Sequence, residues 1–527
     1  MNLNKLRTVR IIISNIILFL TTLLFVELSG NYTVSFSDYV LFPQFIPSLL
    51  SFLHNPAFIA SGFIIILVLT VLFGRIYCSF VCPLGIMMDL ILFVRKKYYK
   101  FSTRKKFRFT FIKSYNLIRY SILSATFLLL FTGVSTLIVL LDPYSVFGRL
   151  ITNFIRPVFI GINNLLVAFL EMLGSYSVSP HILYLPDFWV LSIPFVFLII
   201  ILFFTLKNGR LYCNTICPVG ALLGLISNFQ IFKISIDDIN CAACGVCETQ
   251  CKAGCIDSGN KSIDLTRCVA CYDCLDSCPT EAISINTKQP VKVLKSNLKT
   301  KVKGRRSFLI SAGLLTGTAI KTIYGQGDTI KVYKDSTIPE KRTSPISPPG
   351  SISIEHFISN CTACTLCVSV CPTGVLQPSF IEYGIEGLLM PHMSNKIGFC
   401  NFECTICGDV CPNDAILPLK NENKKITQIG KVKFIKENCV VYTQKTDCGA
   451  CAEHCPTKAV KMELDAELNL RVPIITEELC VGCGACEHAC PTKPFKSIYV
   501  DGNPVHQIAE KPKDEKLEII EEEDFPF

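Results

Sequence analysis

Several chemistries are ruled out by what the sequence lacks. It has no CxxCH, so covalently attached haem has no anchor. Of its 7 histidines, His54 and His181 lie at the ends of apolar runs and not inside them, which leaves an intramembrane b-type haem without a ligand pair. No GxGxxG follows a strand-like run, and no Ser–His–Asp or HExxH pattern stands out, so no haem, flavin or NAD site is evident. Charged residues make up only 18% of the chain. With 50% hydrophobic residues and a mean hydropathy of +0.44, this composition suits a protein partly in lipid.

The net charge of +9 does not point to nucleic acid, because Lys and Arg cluster between apolar runs, as the positive-inside rule requires of a membrane protein. Lys5, Arg7 and Arg10 precede an apolar run from Ile11 to about Val26. No small-residue cleavage site follows, so it reads as a retained first helix with its amino end inside. Further runs cover Pro56 to Phe73, about Leu117 to Leu141 (ended by Asp142 and Pro143), and Asp187 to Leu206. Gly161 to Gly174 is short, with two asparagines and Glu171, and is expected to be an outer-surface helix. A basic stretch ending in Arg305 and Arg306 then runs into an apolar segment, Phe308 to Ile320, a candidate fifth crossing.

The 29 cysteines carry the chemistry. Six groups follow the bacterial ferredoxin spacing, in which three closely spaced thiolates hold one [4Fe–4S] cube and a fourth, before proline, serves a neighbouring cube. They are Cys241, Cys244, Cys247 and Cys251; Cys268, Cys271, Cys274 and Cys278; Cys361, Cys364, Cys367 and Cys371; Cys400, Cys404, Cys407 and Cys411; Cys439, Cys448, Cys451 and Cys455; and Cys480, Cys483, Cys486 and Cys490. The recurring third and fourth cysteines argue against zinc. About six [4Fe–4S] clusters are therefore expected, with iron bound through these same cysteines. In the first pair of groups, Cys278 should complete the cube of Cys241, Cys244 and Cys247, and Cys251 that of Cys268, Cys271 and Cys274. Lys252 stands where proline is usual, and Cys255 is left over, expected to pack as a small apolar side chain.

Four more cysteines sit in two near-identical elements, FGRIYCSFVCPLG with Cys78 and Cys82, and NGRLYCNTICPVG with Cys213 and Cys217. Each follows an apolar run, which suggests an internal duplication. A CxxxC pair puts both sulfurs on one helical face, so the elements together could offer four thiolates to one metal or cluster, or two redox dithiols. A structural turn ending each span is the plainer alternative.

The four runs, two GRxYCxxxCPxG elements and a following two-cluster motif resemble NapH, the membrane quinol dehydrogenase subunit, and its relative MauN. The second half resembles NapG and MauM, periplasmic four-cluster ferredoxins exported with a twin-arginine signal, here Gly304 to Leu309 with Ile310 where lysine is common. By resemblance to polyferredoxin subunits, the first of the four later motifs is expected to cross-ligate with the fourth and the second with the third; adjacent pairing is the alternative.

The resemblance implies a multidomain fold: an α-helical membrane domain of four to five transmembrane helices plus α+β ferredoxin-like [4Fe–4S] domains. The expected division is 1–233, membrane domain with the CxxxCP elements; 234–290, cytoplasmic two-cluster domain; 291–325, basic linker with the twin-arginine-like motif and fifth apolar segment; 326–350, linker; and 351–527, four-cluster domain. It also implies a bacterial inner-membrane protein, with 234–306 cytoplasmic and 326–527 periplasmic. Such a protein would pass electrons from quinol to a periplasmic redox partner, with membrane lipid around it and no nucleic acid. A second reading, a metal-reducing assembly factor, follows from the cytochrome-oxidase assembly ferredoxins, which share the CxxxCP spans but lack the four extra clusters.

Overall fold

The computed structural model describes residues 3–28, 31–54, 61–104, 107–184, 186–287 and 337–511. The twin-arginine-like motif, the segment 308–320 and the acidic end lie outside these residues.

Three helices among the described residues are long and apolar enough to cross a membrane: Leu6–Val26, Pro143–Met172 and Phe188–Asn208. Helix α1 (Leu3–Val26) has 24 residues, about 36 Å at 1.5 Å per residue. The run from Leu117 to Leu141 is not one helix. Asn116–Phe131 stops at Gly133, whose φ of 84° lets Val134 N–H donate back to the Leu129 carbonyl (2.9 Å), and a separate helix spans Thr136–Leu141.

Asp142 then caps a new helix, accepting from Ser145 N–H (2.9 Å) and its hydroxyl (2.7 Å). Gly161–Gly174, expected as a short surface helix, belongs instead to a 30-residue helical run from Pro143. A π-helical turn at Ile151–Ile155 lets Pro157 follow without breaking it.

The CxxxCP elements form matching corners. After Phe73 comes Tyr77–Phe80, then α6 (Pro83–Thr103). After Phe188–Asn208 come Leu211–Thr215 and Pro218–Ile226. In both, cysteine is the N-cap with proline at the first turn: Cys82 Sγ accepts from Gly85 N–H (3.4 Å), and Cys217 Sγ from Gly220 N–H (3.3 Å).

Two cysteine-rich units pack at opposite ends of α1. The first is closed by the antiparallel pair β1 (Lys233–Ile236) and β4 (Ile283–Asn286). It meets the amino end of α1 through Arg7 to Asp273 (3.2 Å), and Phe109 N–H donates to its Thr249 carbonyl (3.0 Å). The second unit, residues 337–511, is closed by Thr427–Phe434 against Ile498–Ile508. It meets the far end: a Cβ at Gly148 would lie 2.4 Å from the Cys364 carbonyl and 2.7 Å from the Phe25 ring, so only glycine fits. Arg156 donates to the Ser369 carbonyl (2.6 Å) and Thr365 to Thr152 (3.1 Å).

Candidate functional site: cysteine groups at both ends of the membrane domain

In the first unit Cys247 faces Cys241, Cys244 and Cys278. Cys251, Cys268, Cys271 and Cys274 line one small void. Both groupings follow the exchange read from the spacing. Cys255 does more than pack: it lines the same void, with its sulfur 3.6 Å from that of Cys251. The run of cysteines at 247, 251 and 255, one every four residues, was the available signal. Burial would push the Asp264 carboxyl up, but the Thr266 hydroxyl and Arg267 override it and hold it below its usual range, fixing the turn before Cys268.

In the second unit the pairing is adjacent, which corrects the expected cross-ligation. Cys371 lines a void with Cys400, Cys404 and Cys407, while Cys361, Cys364 and Cys367 face Cys411. Cys490 lines a void with Cys439, Cys448 and Cys451, while Cys480, Cys483 and Cys486 face Cys455. The physical reason is packing: most thiols of motifs one and two share one apolar core, and Cys451 and Cys455 of motif three share another with motif four. The two halves abut where Cys400 N–H donates to the Cys483 carbonyl (2.9 Å). The groups therefore form a row whose membrane end is the Cys364 group beside Gly148.

The regular motifs share one backbone device. The residue before the second cysteine is left-handed in all four: Ala243 (52°), Ala270 (49°), Ala363 (49°) and Gly482 (77°). So is the residue after it: Gly245 (72°), Tyr272 (60°), Thr365 (66°) and Gly484 (80°). A left-handed non-glycine residue costs on the order of 1 kcal/mol. The strain turns amides onto sulfur, as in Ala363 N–H to Cys361 (3.4 Å) and Gly482 N–H to Cys480 (3.4 Å). Such a nest suits a bound anionic group, so the residues fit iron–sulfur clusters.

Between the two units lie the four cysteines of the CxxxCP elements. All are buried, in one apolar core. Cys82 faces Cys78, Cys213 and Cys217. The elements interlock reciprocally: Arg75 donates to the Cys213 carbonyl (3.0 Å), and Arg210 to the Cys78 carbonyl (2.6 Å). Arg75 also reaches the Cys78 sulfur (3.7 Å), and Arg210 lies beside that of Cys213. Both guanidinium groups are fully buried. Arg210 is paired with Asp89 (2.8 Å), whereas Arg75 has no carboxylate partner among the described residues. A buried, unpaired cation is costly unless an anion sits beside it, and four thiolates around a cluster supply one.

The site touches both units. Arg75 donates to the Thr266 carbonyl (3.2 Å) and Ser79 to the Ala270 carbonyl (3.3 Å) in the first. On the other side, buried Arg149 faces Tyr212 as well as Cys364 and Cys361.

A geometry of this kind defines an iron–sulfur electron-transfer protein with an apolar helical domain. A 4Fe–4S binding domain family matches residues 55–100 and 189–236, each stretch holding one CxxxCP element, and a 4Fe–4S dicluster domain family matches 267–375, 399–459 and 444–494. The ferredoxin-type protein NapH of Escherichia coli is 28% identical over 45% of this chain and 70% of its own length. An uncharacterised protein of Methanocaldococcus jannaschii is 25% identical over 42% of this chain and 69% of its own. The ferredoxin-type protein NapF of Escherichia coli is 28% identical over 27% of this chain and 77% of its own. No solved structure matches. Together these relatives and family matches support a NapH-type ferredoxin protein.

Proposed function

We propose that this protein relays electrons from membrane quinol, through its apolar domain, to a redox partner on the opposite face. The six ferredoxin-type groups each hold a [4Fe–4S] cluster, and Cys78, Cys82, Cys213 and Cys217 share one more. Such clusters supply one-electron acceptors and donors. The chain's own part is to space them, bury them and set the charge around them.

The observation that carries this reading is the position of the four buried cysteines between two cysteine-rich units packed at opposite ends of α1. A protein that only stored clusters would have no need to place thiols there. In this reading the first unit is cytoplasmic and the second periplasmic, and the segment between them crosses the membrane.

The test is sidedness. In sealed inside-out vesicles, protease added outside should cleave the first unit and spare residues 337–511 until detergent is added. Cleavage of both units without detergent would sink the transmembrane relay.

A further inference from the structure

We infer that the quinol headgroup binds in the cavity enclosed by α1, α6 and the first cysteine-rich unit, against the group Cys251, Cys268, Cys271 and Cys274. This rests on the quinol reading above and adds where the quinol sits and what holds it.

The cavity measures about 410 Å³, within the roughly 300–1,000 Å³ of ordinary ligand pockets. Ile11, Leu90 and Phe93 line it and are exposed, so an apolar tail could leave between α1 and α6 into lipid. The inner wall is polar and mostly buried. Asp89 accepts from Arg210 (2.8 Å), Lys252 (2.6 Å) and Arg10 (3.1 Å), and Lys252 also lies 3.5 Å from Asp273. The Nε of Arg10, a buried residue, has no hydrogen-bond partner among the described residues. This wall sets two part-exposed carboxylates, Asp89 (17%) and Asp273 (18%), beside the cations Arg10 and Lys252, so acceptors and cationic donors line one space, as the two oxygens of a hydroquinone ring require.

Lys252 explains why the wall stands here. It occupies the position after Cys251 where a ferredoxin usually has proline, so the residue that departs from the motif is the one that lines the cavity and sits next to a thiol of the nearest group. Within the repeat, Cys82 is followed seven residues later by Asp89, while Cys217 is followed at the same distance by Gly224. Only the first element carries the acid. A second cavity of about 230 Å³, beside Arg156 and His181 at the other end of the domain, is smaller, and its Arg156 is already bound to the Ser369 carbonyl.

The reaction at this site is oxidation of hydroquinone to quinone. Both O–H bonds break, two protons leave to water at the polar mouth, and the two electrons would be taken one at a time by the [4Fe–4S] cluster that Cys251, Cys268, Cys271 and Cys274 would hold.

Ser14→Phe fills the cavity from α1 without removing an ion pair, and Asp89→Asn removes the negative charge. In membrane vesicles, Ser14→Phe should slow reduction of the clusters by menaquinol about tenfold or more while dithionite still reduces all of them, which shows that the protein is folded and loaded. A photoactivatable azidoquinone should label residues of α1 and α6 in the wild type, with the label lost in Ser14→Phe and weakened in Asp89→Asn. Label beside His181, with menaquinol reduction normal in Ser14→Phe, would overturn the site and leave the relay standing. Normal menaquinol reduction together with an anionic phospholipid held by the wild type and lost from Ser14→Phe would make the cavity a lipid site and overturn it as well. No label and no menaquinol reduction of the wild type, with dithionite reduction intact, would overturn the quinol reading itself.

Discussion

The two CxxxCP elements share their sequence pattern, their corner geometry and their N-capping cysteines, yet their surroundings differ. The arginine of the second element, Arg210, is neutralised by Asp89 from the first. The arginine of the first, Arg75, meets among the described residues only Asn214, two backbone carbonyls and sulfur. Where the first element has Asp89, the second has Gly224, and a Cβ there would lie 1.7 Å from the Arg119 guanidinium and 2.6 Å from the Thr266 carbonyl. A duplicated frame has thus been divided. The first element leaves its own arginine to the shared thiols and supplies the acid of the charged cavity, while the second gives its arginine to that acid. Near-symmetry positions the cysteines; broken symmetry assigns the roles.

The strongest way to break this comparison is to remove the arginines one at a time. Arg75→Leu should abolish the cluster signal of the shared site, because removing the buried cation beside the four thiolates leaves their charge uncompensated, at a cost of about 3–5 kcal/mol. Arg210→Leu should weaken it less, since Asp89 keeps Lys252 and Arg10. Electron paramagnetic resonance of the reduced protein reads both, and equal loss in the two variants would contradict the division.

A smaller effect is expected at the glycines that let the units dock. Gly224→Ala should loosen the first unit and Gly148→Ala the second, each by about 1–3 kcal/mol, as overpacking does. Limited proteolysis should show faster cleavage of the corresponding unit in each variant and not of the other.

The smallest effect separates the units by pH. His506 in the second unit is pushed down to about 4 by burial, against an ordinary value of 6.5, whereas the first unit contains no histidine. A histidine held neutral contributes stability that is present above its unfolded value and lost as pH falls toward its folded one. Between about pH 6.5 and 4 the second unit should therefore lose about 2 kcal/mol through His506, and His506→Gln should reduce that dependence, leaving the share of His392, which burial also pushes down, measured by hydrogen exchange of the two units.

Much of this was legible in sequence because ferredoxin ligands are local. The three-residue spacings of Cys241 to Cys247 or Cys361 to Cys367 fix which thiols surround one void. The partner that completes each void is chosen by tertiary packing, and so the adjacent pairing of the later motifs did not follow from spacing. The repeat of Cys78 and Cys82 in Cys213 and Cys217 raised the idea of four shared thiolates, and the reciprocal arginine bonds give it a geometry. Lys252 could be seen as a departure from pattern, but its partner Asp89 is distant in the chain and belongs to another element. Asp142 marked the end of an apolar run correctly, and its second role as the cap of the next helix depends on Ser145 reaching its carboxylate.

The shared site is the link between the two units in this relay. Cys217→Ser removes one of its thiols and none of the ferredoxin-type ones. With menaquinol as donor in sealed vesicles, clusters of the first unit should still be reduced, while those of the second should stay oxidised until dithionite is supplied on their side. Reduction of the second unit at the wild-type rate in this variant would contradict the account.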